Sequence, residues 1–287
     1  MDVEVRVPAS AANLGPGFDC LGAAIEVYLR VRVEGAAAPE VAGKGTLRPP
    51  DRNLTHRAFR AAYEAAGREA PPVRVEVLET YPSARGLGAS ASAIVAGLVA
   101  AQELGDLGLP AAELAGLAVR IEGHADNVLP ALFGGVVVAS REGWLHLDPT
   151  PRICPIVLVA PEPFRTVEAR AVLPAEVPRA DAVANAASAA ALVAVLGGME
   201  PPDALMMATE DRLHQPYRLP LMPESHELLD ALRAKGIAAV LSGAGPSLLC
   251  LVEVSALDAC RRVARELAPE GWDVLAPSWD LRGAQVR

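Results

Sequence analysis

An α+β fold is predicted on three grounds. Short segments that alternate apolar and polar residues occur in both halves of the chain, the pattern of half-buried strands. Between them run helical segments bounded by capping residues, glycines and prolines. The strand segments lie next to one another in the sequence more often than a regular βαβ array allows, which points to antiparallel neighbours. Of the 287 residues 52% are hydrophobic and only 21% charged, so the chain can close a core and lacks the composition of a disordered one.

The elements follow in order. "VEVRVPAS" (3–10) and "AAIEVYLRVRVE" (23–34) alternate as strands, and "AANLGPGFDCLG" between them is a loop with three glycines. "RNLTHRAFRAAYEAAG" (52–67) is predicted as a helix, with Asn53 or Thr55 as its cap and Gly67 as its end. "VRVEVLET" (73–80) is a strand that feeds "PSARGLGASASAIVAG", in which a glycine-serine loop enters a helix over 89–104. A further helix covers about 110–122, with Pro110 as first helical residue. "EGHADN" breaks the helical pattern, and "ALFGGVVVAS" with "WLHLDP" is read as a strand pair.

Pro149, Pro151 and Pro155 then cluster, which places a boundary between a first unit, 1–150, and a second, 151–287. In the second, "CPIVLVAPE" is a buried strand, and 179–198, 202–218 and 224–236 are predicted as helices. "IAAVLSGAGPSLLCLVE" (237–253) is strand, glycine turn, strand; 256–268 is a helix and "GWDVLAPSW" (271–279) the last strand.

The formal net charge of -9 argues against a nucleic-acid binder, which needs bulk positive charge. Arginine dominates the cations, Lys44 and Lys235 being the only lysines; a high-GC or thermophilic source explains this as well as anion binding does. Cys20, Cys154, Cys250 and Cys260 are scattered without a CxxC pair, so structural zinc is not expected. The N-terminus has no basic region followed by an apolar run. The apolar runs 89–101 and 186–198 fall short of the ~20 residues that span a bilayer. A soluble cytoplasmic protein, with no membrane partner, is expected.

The loop at 82–97 admits several readings. Gly86 and Gly88 permit positive φ and close backbone approach to a ligand. Ser90 and Ser92 lie in the first helical turn, where unpaired N–H groups and the helix dipole favour an anion. A plain glycine turn with serine caps writes the same letters. The P-loop lysine of G-x-x-x-x-G-K-S/T is missing. "GLGASA" fits G-x-G-x-x-A, but Glu103, at the distance where a dinucleotide site needs an acidic strand end, closes a helix.

The same loop resembles the phosphate loop P-x-x-x-G-L-G-S-S-A of the GHMP small-molecule kinases. "VPASAANLGPGFDCLGAAI" (7–25) is similar to the first motif of that superfamily and "LSGAGPSLLCLV" (241–252) to the third. Within it, "EGHADNVLPALFGG" (122–135), "TVEAR" with "LP" (166–174) and "DRLHQPYRLPLMP" (211–223) resemble the homoserine kinases. The resemblance covers about 3–252. Ala89 stands where a serine is usual, Ala125 for proline, Leu129 for alanine and Ser247 for threonine.

The resemblance implies a two-domain GHMP kinase fold, with a ribosomal S5 domain 2-like N-terminal half, a ferredoxin-like C-terminal half and the nucleotide between them. It implies transfer of phosphate from ATP, with Mg²⁺, to the hydroxyl of L-homoserine on the route to threonine, by a homodimer. The loop Pro82, Ser83, Ala84, Arg85, Gly86, Leu87, Gly88, Ala89, Ser90, Ala91, Ser92 would hold the triphosphate, and Asn53 matches a nucleotide contact, though a helix cap explains it equally. Ser90 and Glu122 match the metal positions. Arg170 and Arg218 match the substrate-carboxylate positions, although surface arginines are common in a chain of this composition. Asn13 and Asp19 match the ammonium side, and His124, Asp126 and Asn127 the segment lining the acceptor pocket. Asn127 stands where related kinases place an aspartate, and an amide takes no proton at neutral pH. Catalysis by positioning and charge neutralisation is therefore implied, with Asp126 the local rival for a base. Another GHMP kinase of a different small alcohol, and a catalytically silent ligand sensor, are the competing readings.

Overall fold

The computed structural model describes residues 2–287. The chain opens with β1 (Asp2–Ala12), β2 (Leu21–Gly35) and β3 (Glu40–Gly43), then α1 (Leu54–Ala65) and β4 (Val73–Glu79). Three helices follow, α2 (Ala89–Gly105), α3 (Ala111–Glu122) and α4 (Ala125–Phe133), and a hairpin of β5 (Val136–Ala139) and β6 (Trp144–Leu147). The rest is β7 (Ile153–Val159), α5 (Thr166–Ala171), α6 (Arg179–Leu196), α7 (Leu205–Ala208), α8 (Gln215–Arg218), α9 (Pro223–Ala234), β8 (Ala238–Leu241), β9 (Leu248–Glu253), α10 (Leu257–Leu267), β10 (Asp273–Leu275) and β11 (Gln285–Val286).

Seven strands form one sheet, in the order β11-β1-β2-β4-β3, with the β5–β6 hairpin attached to β2. Only β3 runs parallel to its neighbour. The second sheet is β10-β7-β9-β8, antiparallel throughout. Its strands β7, β9 and β8 are buried on both faces, and their period of two divides them between two cores. Val157, Leu249 and Val240 join the core that runs through the first sheet and α1 to α4. Ile156, Cys250 and Leu241 face a second core with Leu228, Leu229 and Leu232 of α9. The two halves therefore share one hydrophobic layer. The C-terminal segment also crosses the expected division near residue 150. Val286 pairs with Val5 of β1 and Trp279 bridges to Ile25, while the Trp279 indole holds to the second unit, donating to the Ile153 carbonyl at 2.7 Å.

The structure corrects several elements. Residues 125–133, expected as a break followed by a strand, are the helix α4 with Pro130 inside it. Pro130 cannot bond the Asp126 carbonyl one turn back; that oxygen lies against Gly22, where a Cβ would come within 1.7 Å. The predicted helix over 202–218 is two short helices. Thr209 Oγ1 donates to the Leu205 carbonyl at 2.7 Å and closes the first. The Asp211 carboxylate accepts the N–H groups of Leu213, His214 and Gln215 and starts the second. The last predicted strand shrinks to Asp273–Leu275, and β3, α5 and β11 are additional. Pro110 is the cap of α3, one residue outside the helix.

The helix α6, with 18 residues, is long and apolar enough by length and composition to cross a bilayer, which the shorter run 186–198 did not suggest. Leu192, Val195 and Leu196 bury one side of it in the main core.

Candidate active site

A cleft of about 110 Å³ forms where the two glycine loops meet the starts of α2 and α4. A larger groove, about 800 Å³, lies beside α1 and residues 69–73 and holds none of the expected site residues, most of which line the smaller one.

The first loop ends at Gly88, the N-cap of α2, with φ 67° and no side-chain cap. The helix N-terminus is thus left to an external acceptor. Its two serines divide. Ser90 Oγ donates to Glu122 Oε2 at 2.6 Å and lines the cleft. Ser92 is fully buried, its hydroxyl held by the Pro8 carbonyl at 2.8 Å and by Tyr81. It is not free to bind phosphate, against the expectation for the loop. Ala84, Gly86, Leu87 and Ala89 line the cleft; Pro82, Ser83 and Ala91 do not. The Arg85 side chain is turned away, donating to the carbonyls of Ala160, Pro161 and Ser83. Asn53 lies outside the cleft and caps α1, its Oδ1 accepting the His56 N–H at 3.0 Å.

The second glycine loop, 242–247, closes on the first. Ser242 Oγ donates to the Gly86 carbonyl at 2.7 Å, and the Gly243 N–H to Ala12. The Gly243 carbonyl accepts from Asn13 Nδ2 at 2.9 Å, while Asn13 Oδ1 accepts the Asp19 N–H at 2.8 Å. Asn13 therefore reaches the cleft with its amide committed to backbone.

Arg218 is no surface arginine. It is fully buried, with Nε on the Ala169 carbonyl at 3.2 Å and Nη1 on His214 Nδ1 at 3.2 Å and the Gly243 carbonyl at 3.4 Å. His214 Nε2 in turn meets the Gly15 carbonyl at 2.8 Å, which sets its tautomer: Nε2 donates and Nδ1 accepts from arginine. Burial lowers the His214 pKa and holds that neutral form. Burial, with Arg170 nearby, lowers Arg218 to about 10, so it stays charged at neutral pH. The Phe18 ring stacks against His214 and lies 5.1 Å from the Arg218 guanidinium.

Arg170 is paired with Asp19, two nitrogens to two oxygens at 3.0 and 2.5 Å. The cation assigned to the substrate carboxylate and the anion assigned to its ammonium thus satisfy each other across the mouth of the cleft. Arg170 Nε and Asp126 Oδ1 are buried without a hydrogen-bond partner. Asp126 is 1% exposed. Burial first, and then the charge of Asp19, push its carboxyl up to about 7. Burial also raises Glu122, against the opposing bond from Ser90, and lowers His124, aided by Arg170.

The described residues contain no group of three or more His, Cys, Asp or Glu side chains placed to hold a metal ion. Ser90 and Glu122 supply two adjacent hard oxygens, a donor set that suits Mg²⁺ completed by phosphate and water and does not suit zinc. The four cysteines are free thiols.

Sequence reasoning assembled most of this cleft. It missed Phe164, Thr166, Gly243, Ala244 and Gly245 in the lining, and Ser10, Phe18, Asp211 and His214 behind it. His214 and Asp211 stood in the quoted "DRLHQPYR", and their buried positions were the missing information.

The chain is similar to known proteins along its length. The patterns for the GHMP kinases N terminal domain and GHMP kinases C terminal match residues 53–135 and 188–269. The homoserine kinase of Streptomyces avermitilis is 44% identical, over 99% of this chain and 95% of that one. That of Deinococcus radiodurans is 45% identical, over 86% of this chain and 83% of its own. The crystal structure of homoserine kinase from Cytophaga hutchinsonii superposes with a TM-score of 0.89 at 25% identity, covering 100% of this chain and 97% of that one. With two glycine loops closed around a capless helix start and matching relatives along its whole length, the chain belongs to the homoserine kinases of the GHMP kinase family.

Proposed function

We propose that this chain transfers the terminal phosphate of ATP to the hydroxyl of L-homoserine, forming O-phospho-L-homoserine for threonine synthesis. The observation that carries the reading is the cleft itself. An open helix N-terminus for phosphate lies beside a buried arginine and a buried carboxyl with one oxygen unpaired, a set that matches a small zwitterion with a reacting hydroxyl.

In the reaction the homoserine oxygen bonds to the γ-phosphorus and the bond to the β,γ-bridging oxygen breaks. ADP leaves with that electron pair, and the hydroxyl proton passes to a phosphate oxygen. The residues act by placement. The Gly86–Ser90 turn receives phosphate oxygens. Ser90 and Glu122 would hold Mg²⁺, which supplies neutralisation of phosphate charge. Arg218, joined by Arg170 once it leaves Asp19, takes the carboxylate. Asn127 faces the reacting hydroxyl. A homodimer in the cytoplasm completes the reading on family resemblance, and the exposed Val183, Ala186, Ala187 and Ala190 of α6 support contact with a second copy.

The test is a coupled ADP-release assay with Mg²⁺ and L-homoserine, mevalonate or shikimate. ADP release driven by homoserine alone is expected. Turnover of another alcohol in its place contradicts the substrate, and ATP binding without turnover of any contradicts the activity.

Asp126 is the seat we assign to the ammonium: it lines the cleft with one buried oxygen unpaired, whereas Asn13 is committed to backbone and Asp19, which Arg170 releases, is not among the residues lining the cleft. A carboxyl raised to about 7 from its ordinary 3.8 binds more protons folded than unfolded between those values. Without substrate its contribution to stability therefore falls as pH rises through that window. Asp126→Asn is expected to melt higher than the parent at pH 8 without substrate, with the gap closing toward pH 4. Ammonium binding needs the carboxylate, so KM for homoserine rises about tenfold per unit as pH falls below about 7. At saturating Mg-ATP this shows directly, and a KM flat from pH 6 to 8 contradicts the assignment.

A further inference from the structure

The reading of Asn127 as the residue facing the acceptor hydroxyl leaves open which end of its amide points there. The structure answers through a residue outside every motif role assigned above. Ser10, in β1, is fully buried. Its Oγ donates to Asn127 Oδ1 at 2.9 Å across 117 residues of sequence, and its N–H donates to the Leu87 carbonyl of the phosphate loop at 3.2 Å. The pair occupies the space that glycine leaves at 88, where a Cβ would meet Ser10 Oγ at 2.1 Å and Asn127 Oδ1 at 2.9 Å.

An amide has one acceptor end and one donor end. With Oδ1 held by the serine hydroxyl, Nδ2 is the end left for the cleft that Asn127 lines. The reversed amide would aim Nδ2 at Ser10, leave the buried hydroxyl hydrogen without the acceptor it now has, and present a carbonyl oxygen to the phosphate oxygens. Both changes are unfavourable.

We propose that Ser10 is a positioning residue that fixes the Asn127 amide with its N–H donors toward the acceptor oxygen and the transferring phosphate. Asn127 then stabilises negative charge as the phosphoryl group moves, a term that acts on kcat more than on KM. The proposal rests on Asn127 facing the reacting hydroxyl.

The test is a double-mutant cycle on the full-length enzyme with Ser10→Ala, Asn127→Ala and the pair, reading kcat and both KM values. Loss of one orienting hydrogen bond is expected to lower kcat about tenfold in Ser10→Ala, with KM for homoserine and Mg-ATP within about twofold. Asn127→Ala is expected to fall further, and the double variant no further than Asn127→Ala alone. Losses that multiply, or an unchanged kcat in Ser10→Ala, overturn the proposal. An unchanged kcat in Asn127→Ala instead overturns the reading of Asn127 on which it stands. If Ser10→Ala melts early, Ser10→Cys, which keeps the volume and weakens the donor, carries the same cycle with the same outcomes.

Discussion

Glu122→Gln lowers kcat by about 10³-fold and shifts the Mg²⁺ requirement upward, while the protein stays folded. Glutamine keeps the shape of the side chain, and its amide oxygen still accepts the 2.6 Å bond from Ser90 Oγ. What it lacks is the anionic oxygen that a hard divalent cation requires. Burial already raises the Glu122 carboxyl above its ordinary range, so without metal the charge is a strain on the fold. Replacing it with a neutral group leaves the melting temperature unchanged or higher. A Mg²⁺ titration of the rate, with thermal melts alongside, measures both effects. Asp126→Asn provides the comparison and should lower kcat less, because its loss falls on homoserine binding. Abolished turnover in Asp126→Asn beside a mild effect in Glu122→Gln reverses the roles assigned to the two carboxylates.

Gly86→Ala breaks the joint between the two glycine loops. An added Cβ sits 2.0 Å from the Ser242 carbonyl oxygen and 3.1 Å from that of Gly245, at a backbone φ of 78°. Both obstacles are main chain, so no side-chain rotation relieves them. The loops must separate, and with them the bonds from Ser242 Oγ to Gly86 and from the Gly243 N–H to Ala12. The expected cost is about 2–4 kcal/mol of stability, with activity down at least about 10²-fold. Mg-ATP should no longer raise the melting temperature. Gly67→Ala is the control: its φ is 67° but nothing lies within 4 Å of the new Cβ. It should cost only about 1 kcal/mol and leave turnover intact. Equal behaviour of the two variants contradicts the joint.

The strands β1, β2 and β4 were legible as alternation because one face of their sheet is buried and the other partly open. The glycine loops were legible because positive φ at Gly86 and Gly88 admits few other residues. The helix α4 was not, because Pro130 is tolerated only where Gly22 makes room for the carbonyl it strands. Nor was the break in 202–218, which depends on the Asp211 carboxylate folding back onto three N–H groups.

The same division runs through the site. Local sequence was sufficient for the loop, its helix and the family to which they belong, since those features depend on backbone geometry within a few residues. Ser90 and Ser92 looked alike in sequence, yet successive residues in a helix turn by 100°, so two positions apart they face opposite ways. One opens on the cleft and the other on the Pro8 carbonyl. Arg218 looked like one arginine among many until folding surrounded it with His214, Ala169 and Gly243. Asp19 and Arg170 meet across 151 residues and Ser10 and Asn127 across 117. Desolvation and pairing set the charge and direction of these groups, and both depend on neighbours that only the closed chain brings within a few ångströms.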